Sequence, residues 1–329
     1  MSSRALAQLA FLAVTGIALS ARAADSTPWR QRLEQITLAP QYRQARWGLL
    51  VAELDSGQVL YESDADKLFA PASVTKLYSV AAALEAFGSD YRFETPVYAR
   101  GALDADGQLH GDLILVAKGD LTFGGRTDPE GHIAFKNTDH IYANDGESAE
   151  WTDPDPLAGL DELASQIAAA GVKHIDGEVL IDDRLFVPAE GSGSGPSRLT
   201  PILVNDNLVD VLISPTMPGS LASIRWRPES AAVRIDARVE TVATNKPLTI
   251  TLHAARPGCI TVRGQIPSDH KPLLRVAEVD DPASFARALL VEALRRAGVK
   301  VDASPLALNR NDLLPLRDLE HLRQLAVFH

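Results

Sequence analysis

Ser73 and Lys76 are the residues whose types and spacing could carry chemistry. A serine hydroxyl is a weak nucleophile and needs a neighbouring base. A lysine serves as that base when burial disfavours its ammonium form and draws its pKa from ~10.4 toward neutrality. Lys76 stands three residues after Ser73, and on a helix that spacing puts both side chains on one face. Ser73 also falls in the first turn, near the positive end of the helix dipole. An arbitrary Ser-x-x-Lys is far more often a helix-start serine beside a surface lysine. The sequence carries its own control in Ser268-Asp-His-Lys271, which reads as loop because Pro272 follows at once and no apolar period surrounds it. Setting therefore singles out Ser73 and Lys76.

The element that must position them is a helix within 69–88. Pro71 suits its first turn and Gly88 the residue past its last. Val74, Leu77, Tyr78, Ala81 and Leu84 recur at helical spacing, while Val80, Ala82, Ala83 and Phe87 fill the other faces. A helix apolar on most sides is expected to be buried in the middle of a domain. Before it, 47–54 and 58–61 read as strands joined through Asp55-Ser56-Gly57, a hairpin that should place the helix against a sheet. A short helix is expected over 28–39, closed by Pro40.

Several function classes are excluded by the chain as a whole. Met1 to Ala23 reads as a secretory signal, with Arg4 near the start, an apolar run over 5–19 and Ala21-Arg22-Ala23 as a small-x-small cleavage site. The run is too short for a membrane span. Its removal takes away two arginines and moves the net charge from −11 to −13, a poor match for nucleic acid. Cys259 is the single cysteine, so the exported protein is expected to hold together without internal disulfides, with Cys259 as a small buried hydrophobe. The eight histidines show no i, i+4 pair and no His-Glu-x-x-His, and each reads as a scattered surface or loop residue, with no metal centre expected. The 191–196 loop, Gly-Ser-Gly-Ser-Gly-Pro, is a flexible connection and no cofactor fingerprint. Asp182-Asp183 reads as a turn pair.

From 91 to about 271 the pattern is mostly strands, over 93–98, 111–117, 178–181, 223–226, 233–242, 248–253 and 259–262, with Asp106-Gly107 and Asp176-Gly177 as tight turns. One helix over 157–170 interrupts them and stops at Gly171. A further helix begins with Asp281 as N-cap and Pro282 as first residue, and closes at Gly298. The last stretch, 313–328, reads as another helix with Pro315 in its first turn.

With these residues in view, a family resemblance can be stated. The exported start, the hairpin and Pro71-Ala-Ser-Val-Thr-Lys76 resemble the penicillin-recognising serine enzymes, whose first motif is Ser-x-x-Lys at a helix start. Gly111-Asp-Leu-Ile-Leu-Val-Ala-Lys-Gly-Asp120, Asp176-Gly177 with Asp182-Asp183-Arg-Leu-Phe186, Asn205-Asp-Asn-Leu-Val-Asp210 and 275–302 look like the D-alanyl-D-alanine carboxypeptidase/endopeptidase group of low-molecular-mass penicillin-binding proteins. The resemblance covers nearly all of the mature chain.

The resemblance implies an α+β fold: an incomplete penicillin-binding transpeptidase-like domain formed by 24–90 plus 272–329, and a strand-rich insert over 91–271, in one or two subdomains. It further implies that Ser73 attacks a D-alanyl-D-alanine peptide of peptidoglycan and forms an acyl-enzyme that water hydrolyses, while Lys76 takes the serine proton. Peptidoglycan stem peptides are the implied partners and β-lactams the implied inhibitors, in the periplasm, with no cofactor, no nucleic acid and no membrane span once the signal is removed. The family carries Ser-x-Asn and Lys-Thr-Gly motifs after its insert, and this sequence contains neither. Tyr142-Ala-Asn144 mimics a variant of the former by chance, inside the insert. The chain is therefore expected to be a C-terminally truncated member, weakly active or inactive. A non-catalytic periplasmic cell-wall or protein-binding module stays open beside that reading; a β-lactamase fits less well, because those enzymes lack so long an insert.

Overall fold

The computed structural model describes residues 28–134, 136–191, 196–316, 319 and 321–329, with Ala255 described by its backbone alone. The expected signal over 1–23 and the middle of the 191–196 loop lie outside the described residues. The chain divides into two compact units, Met1–Ser89 and Asp90–His329. Residues 272–329, grouped with 24–90 in the sequence reading, pack in the second unit.

In the first unit α1 (Pro28–Thr37) precedes the antiparallel hairpin of β1 (Leu49–Ala52) and β2 (Val59–Ser63), and a 3-10 turn (Ala72–Val74) leads into α2 (Thr75–Phe87). Gly57 makes the hairpin turn at φ +69, a backbone conformation that costs glycine least. The expectation of a buried helix is not met. No residue of α2 is buried, and Leu77 and Tyr78 are 70% and 76% exposed. Burying a helix takes a second layer, and α2 packs chiefly on its own leading turn, not on the hairpin.

The second unit runs β3 (Thr95–Leu103), β4 (Gln108–Val116), α3 (Ala158–Ala169), β5 (His174–Ile175), β6 (Val179–Asp182), β7 (Ala189–Glu190), β8 (Arg198–Leu199) and β9 (Leu208–Ser214). It continues through β10 (Ser223–Arg227), β11 (Arg234–Val242), β12 (Thr249–Arg256), β13 (Cys259–Pro267), β14 (Leu273–Glu278), α4 (Pro282–Arg296), β15 (Lys300–Val301) and β16 (Arg323–Phe328). A six-stranded sheet takes the order β15-β5-β4-β3-β16, with β6 also beside β4. Two three-stranded sheets, β10-β9-β14 and β11-β13-β12, accompany it. Leu113, Leu115 and Ile181 of the large sheet, Leu160 and Ile167 of α3, Leu289 and Leu294 of α4, and Val211 and Ile213 of β9 share one core and are fully buried. The strand and helix patterns of the sequence thus resolve into one packed α+β body, with Asp281 accepting from the Ser284 amide at 3.1 Å to cap α4 as expected.

Two expectations are corrected here. Residues 323–328 form a strand, not a helix, because the outer edge of β3 offers a row of unpaired backbone groups that this segment satisfies, Gln324 opposite Tyr98 and Phe328 opposite Thr95. Asp176-Gly177, expected as a tight turn, does not reverse the chain: β5 and β6 on either side of it both run parallel to β4, so it is a step within one edge. A Cβ on Gly177 would sit 2.3 Å from the Gly111 carbonyl oxygen, which is why glycine occupies the step. Among the described residues no helix is long and apolar enough to cross a membrane.

Candidate active site

Local packing in the first unit fixes the segment that enters α2. Trp29 of α1 meets Tyr61 of β2 edge-on at 6.1 Å between ring centres, and Arg30 donates to the Leu60 carbonyl. Phe69 packs on the chain just before β1, where a Cβ on Gly48 would come within 2.4 Å of its ring. Arg46 covers the same ring at 5.2 Å. The chain then turns through Ala72 at φ +44, a left-handed conformation that costs a non-glycine residue about 1–2 kcal/mol. Thr75 Oγ1 donates to the Ala72 carbonyl at 2.8 Å and holds that turn closed.

Ser73 follows in the 3-10 turn and Lys76 in the first turn of α2, and Lys76 Nζ lies 2.7 Å from Ser73 Oγ. The pair is within the reach that proton transfer requires. Both residues are exposed. The desolvation expected to make Lys76 a base is therefore not supplied by the described residues around it. Ser268 lies in the loop after β13, apart from any helix, in keeping with the Pro272 that follows it.

In the second unit the structure assembles a constellation that the sequence reading missed. His140, read as a scattered histidine, is 1% exposed. Its Nδ1 meets Asp210 Oδ1 at 2.7 Å and its Nε2 meets Asp206 Oδ2 at 2.9 Å. Arg126 joins Asp139 at 2.6 Å and Asp206 at 2.7 Å, and Arg227 Nε donates to Asp210 at 2.7 Å. Arg126 also lies 3.2 Å from His140 Nε2, the two cations sharing Asp206. Burial pulls the imidazole pKa down, but hydrogen bonds and charge from Asp206 and Asp210 outweigh it, and the pKa is raised to about 9. Asp206 goes the other way: burial would raise its carboxyl pKa, yet His140 and Arg126 lower it. Asn205, Asp206 and Asn207 are all left-handed, with φ of 53, 54 and 56, which turns the Asp206 carboxylate back into the network. No short spacing announces this cluster, since its partners lie 66 and 70 residues from His140.

Other sequence candidates have structural employment. Asn144 of the Tyr-Ala-Asn mimic clamps the Val276 backbone, donating to its carbonyl at 2.9 Å and accepting from its amide at 3.1 Å. Asp182 takes a bidentate contact from Arg184 at 2.7 Å, and burial raises the carboxyl pKa of Asp183. Among the described residues no group of three or more His, Cys, Asp or Glu side chains is placed to hold a metal ion.

Comparison with known proteins gives this geometry a family. The chain is 28% identical over 320 residues to the D-alanyl-D-alanine carboxypeptidase of Actinomadura sp. (strain R39), covering 90% of this chain and 53% of that protein. Two crystal structures of penicillin binding protein 4 from Haemophilus influenzae share the fold. One, complexed with a β-lactam, has a TM-score of 0.53 at 18% identity and covers 85% of this chain and 54% of that one. The other has a TM-score of 0.56 at 18% identity and covers 85% and 55%. The chain thus spans about half the length of these relatives. The model of the D-Ala-D-Ala carboxypeptidase 3 (S13) family matches residues 29–310, and the chain belongs to that family.

Proposed function

We propose that this protein is a serine-type D-alanyl-D-alanine carboxypeptidase/endopeptidase of the periplasm, acting on peptidoglycan stem peptides and acylated by β-lactams. The observation that carries the reading is the 2.7 Å approach of Lys76 Nζ to Ser73 Oγ at the start of α2. The uncharged amine would take the hydroxyl proton as Oγ attacks the carbonyl carbon of the penultimate D-alanine. The Lys76 ammonium would then protonate the departing amine of the terminal residue, leaving an ester on Ser73. Water would hydrolyse that ester in a second proton transfer through the same lysine. A β-lactam would follow the first half of this path, and its opened ring would stay tethered to the acyl group.

Acylation is the step assigned to these residues. An oxyanion hole contributes a further ~10²–10³ in rate per donor, and none of these 329 residues supplies the family's Ser-x-Asn or Lys-Thr-Gly. The second unit as a whole would be the insert, with 272–329 belonging to it.

Intact mass after incubation with benzylpenicillin tests the reading on the wild type, Ser73→Ala and Ser268→Ala. One penicilloyl adduct on the wild type and on Ser268→Ala, absent from Ser73→Ala, is the expected result. A folded wild-type chain that gains no mass overturns acylation by Ser73, and favours a role in binding cell wall or another protein.

A further inference from the structure

Wholly inside the second unit, a cleft of about 220 Å³ opens between the β12–β13 turn, the start of α4 and residues 305–308. Its back wall is apolar: Val209, Val233, Ile260 and Phe285 are each more than nine-tenths buried there. At its mouth Leu306 and Leu308 stand 66% and 69% exposed, large apolar side chains with nothing over them among the described residues. A dry apolar cavity of about 150 Å³ is enough to take a benzene ring, so this one has room for a ring or a branched alkyl group.

The rim gives the rest of the occupant. Glu278, Asp280 and Asp281 follow one another out of β14 into the α4 cap and all three are exposed. Asp281 accepts from the Ser284 amide, and none of the three forms an ion pair among the described residues. Arg256 is the single cation of the lining, against three carboxylates. A second cavity of about 220 Å³ shares Glu278, Val279 and Asp280 as its wall, so those carboxylates stand between two openings and can be approached from either. An apolar floor beneath a negatively charged lip selects a molecule with an apolar head and a positive charge next to it.

We propose that this cleft is a second ligand site that takes a cationic amphiphile, an aryl or branched-alkyl group bearing an ammonium, either as a free amine or as the N-terminal residue of a peptide. The apolar group lies against Val233, Ile260 and Phe285, and the ammonium meets Glu278 and Asp280. This site is independent of the acylation assigned to Ser73.

Cys259 lines the cleft and is the only cysteine of the sequence, which provides a local readout. The rate at which iodoacetamide alkylates Cys259 would be followed by intact mass, with calorimetric titration in parallel. The probes are phenethylamine, phenylalanine amide-capped dipeptide (Phe-Gly amide) and the anionic isostere 3-phenylpropionate. Saturating phenethylamine is expected to slow alkylation at least threefold and to give a saturable heat, and 3-phenylpropionate to bind at least tenfold more weakly. Protection by the dipeptide as well as the amine identifies a peptide N-terminus as an acceptable source, and protection by the amine alone restricts the site to free amines. Glu278→Gln with Asp280→Asn should abolish the preference for the cation while leaving the far-ultraviolet circular dichroism unchanged. Ala307→Phe, which fills the mouth, should remove binding of all three probes. Absence of both protection and heat, equal binding of the anion and the cation, or binding indifferent to Ala307→Phe would each overturn the proposal.

Discussion

His140 lies between Asp206 and Asp210, 2.7 Å from the latter's carboxylate, and both His140 and Asp210 are almost wholly buried. Its pKa is raised from an ordinary 6.5 to about 9, so folding favours the protonated imidazole. The sign follows directly. The stabilising contribution is complete below pH 6.5, shrinks as the pH climbs, and is lost above about 9. Thermal melts between pH 6 and 10 should show the midpoint falling from about pH 6.5 to about 9 and levelling off above that. His140→Gln should flatten this dependence.

The same substitution should be costly at neutral pH. Removing one member of a buried ion network strands its partners, and breaking a buried pair costs ~3–5 kcal/mol. Here Arg126 and Arg227 still face the two aspartates, so His140→Gln is expected at the lower end of that range, about 3 kcal/mol by denaturant titration. A loss below about 1 kcal/mol would mean that the network contributes little.

At Ser73 the approach of Lys76 sets a rate. General-base catalysis contributes ~10²–10⁴-fold. Lys76→Met should therefore slow penicilloyl formation by at least about 10²-fold without altering the fold, as read by stopped intact-mass time courses. An unchanged rate would remove Lys76 from the mechanism.

Ala72 precedes the nucleophile in a left-handed conformation. Strain of this kind costs of order 1–3 kcal/mol and is worst for β-branched side chains. Ala72→Val should destabilise the first unit by about that amount and slow acylation, whereas Ala72→Gly should keep both. Proteolysis of the 64–75 segment and adduct formation report the two effects separately.

Two leucines should behave in opposite ways although both lie on helices. Leu289 of α4 is fully buried, and Leu289→Ala should cost ~2–5 kcal/mol. Leu77 of α2 is 70% exposed, and Leu77→Glu should change stability by less than about 0.5 kcal/mol while reducing the binding of a hydrophobic dye. A large loss for Leu77→Glu would mean that α2 is covered in solution.

What the sequence made legible was local. The Asp281 cap, the Gly57 turn and the alternating Val and Ile runs of β11 and β13 depend on neighbours within a few residues, and each appears where its pattern stands. The Ser73–Lys76 approach belongs to the same class, because a three-residue spacing on a helix brings side chains together without help from the rest of the chain. Burial is different. The apolar faces of α2 resemble those of α4, yet one is open and the other enclosed. Nothing within the helix tells which, since enclosure depends on the layer opposite. β14 went unread because Leu273 to Glu278 carry no flanking turn signal on the C-terminal side, only the cap of α4. The strand β16 was missed for a related reason: Leu325 and Phe328 stand at a helical spacing while Ala326 and Phe328 alternate as in a strand, and the vacant edge of β3 decided between the two readings. The His140 cluster draws on four separate stretches of chain, at Arg126, Asp139–His140, Asp206–Asp210 and Arg227, and left no trace in any one of them.

The pairing of Phe328 with Thr95 joins the first strand of the second unit to its last described strand. β3 and β16 run antiparallel side by side, about 5 Å apart at the ordinary strand spacing. Residues 95 and 328, far apart in sequence, are thereby held side by side, and the two paired strands serve as a clasp on the body that runs between them.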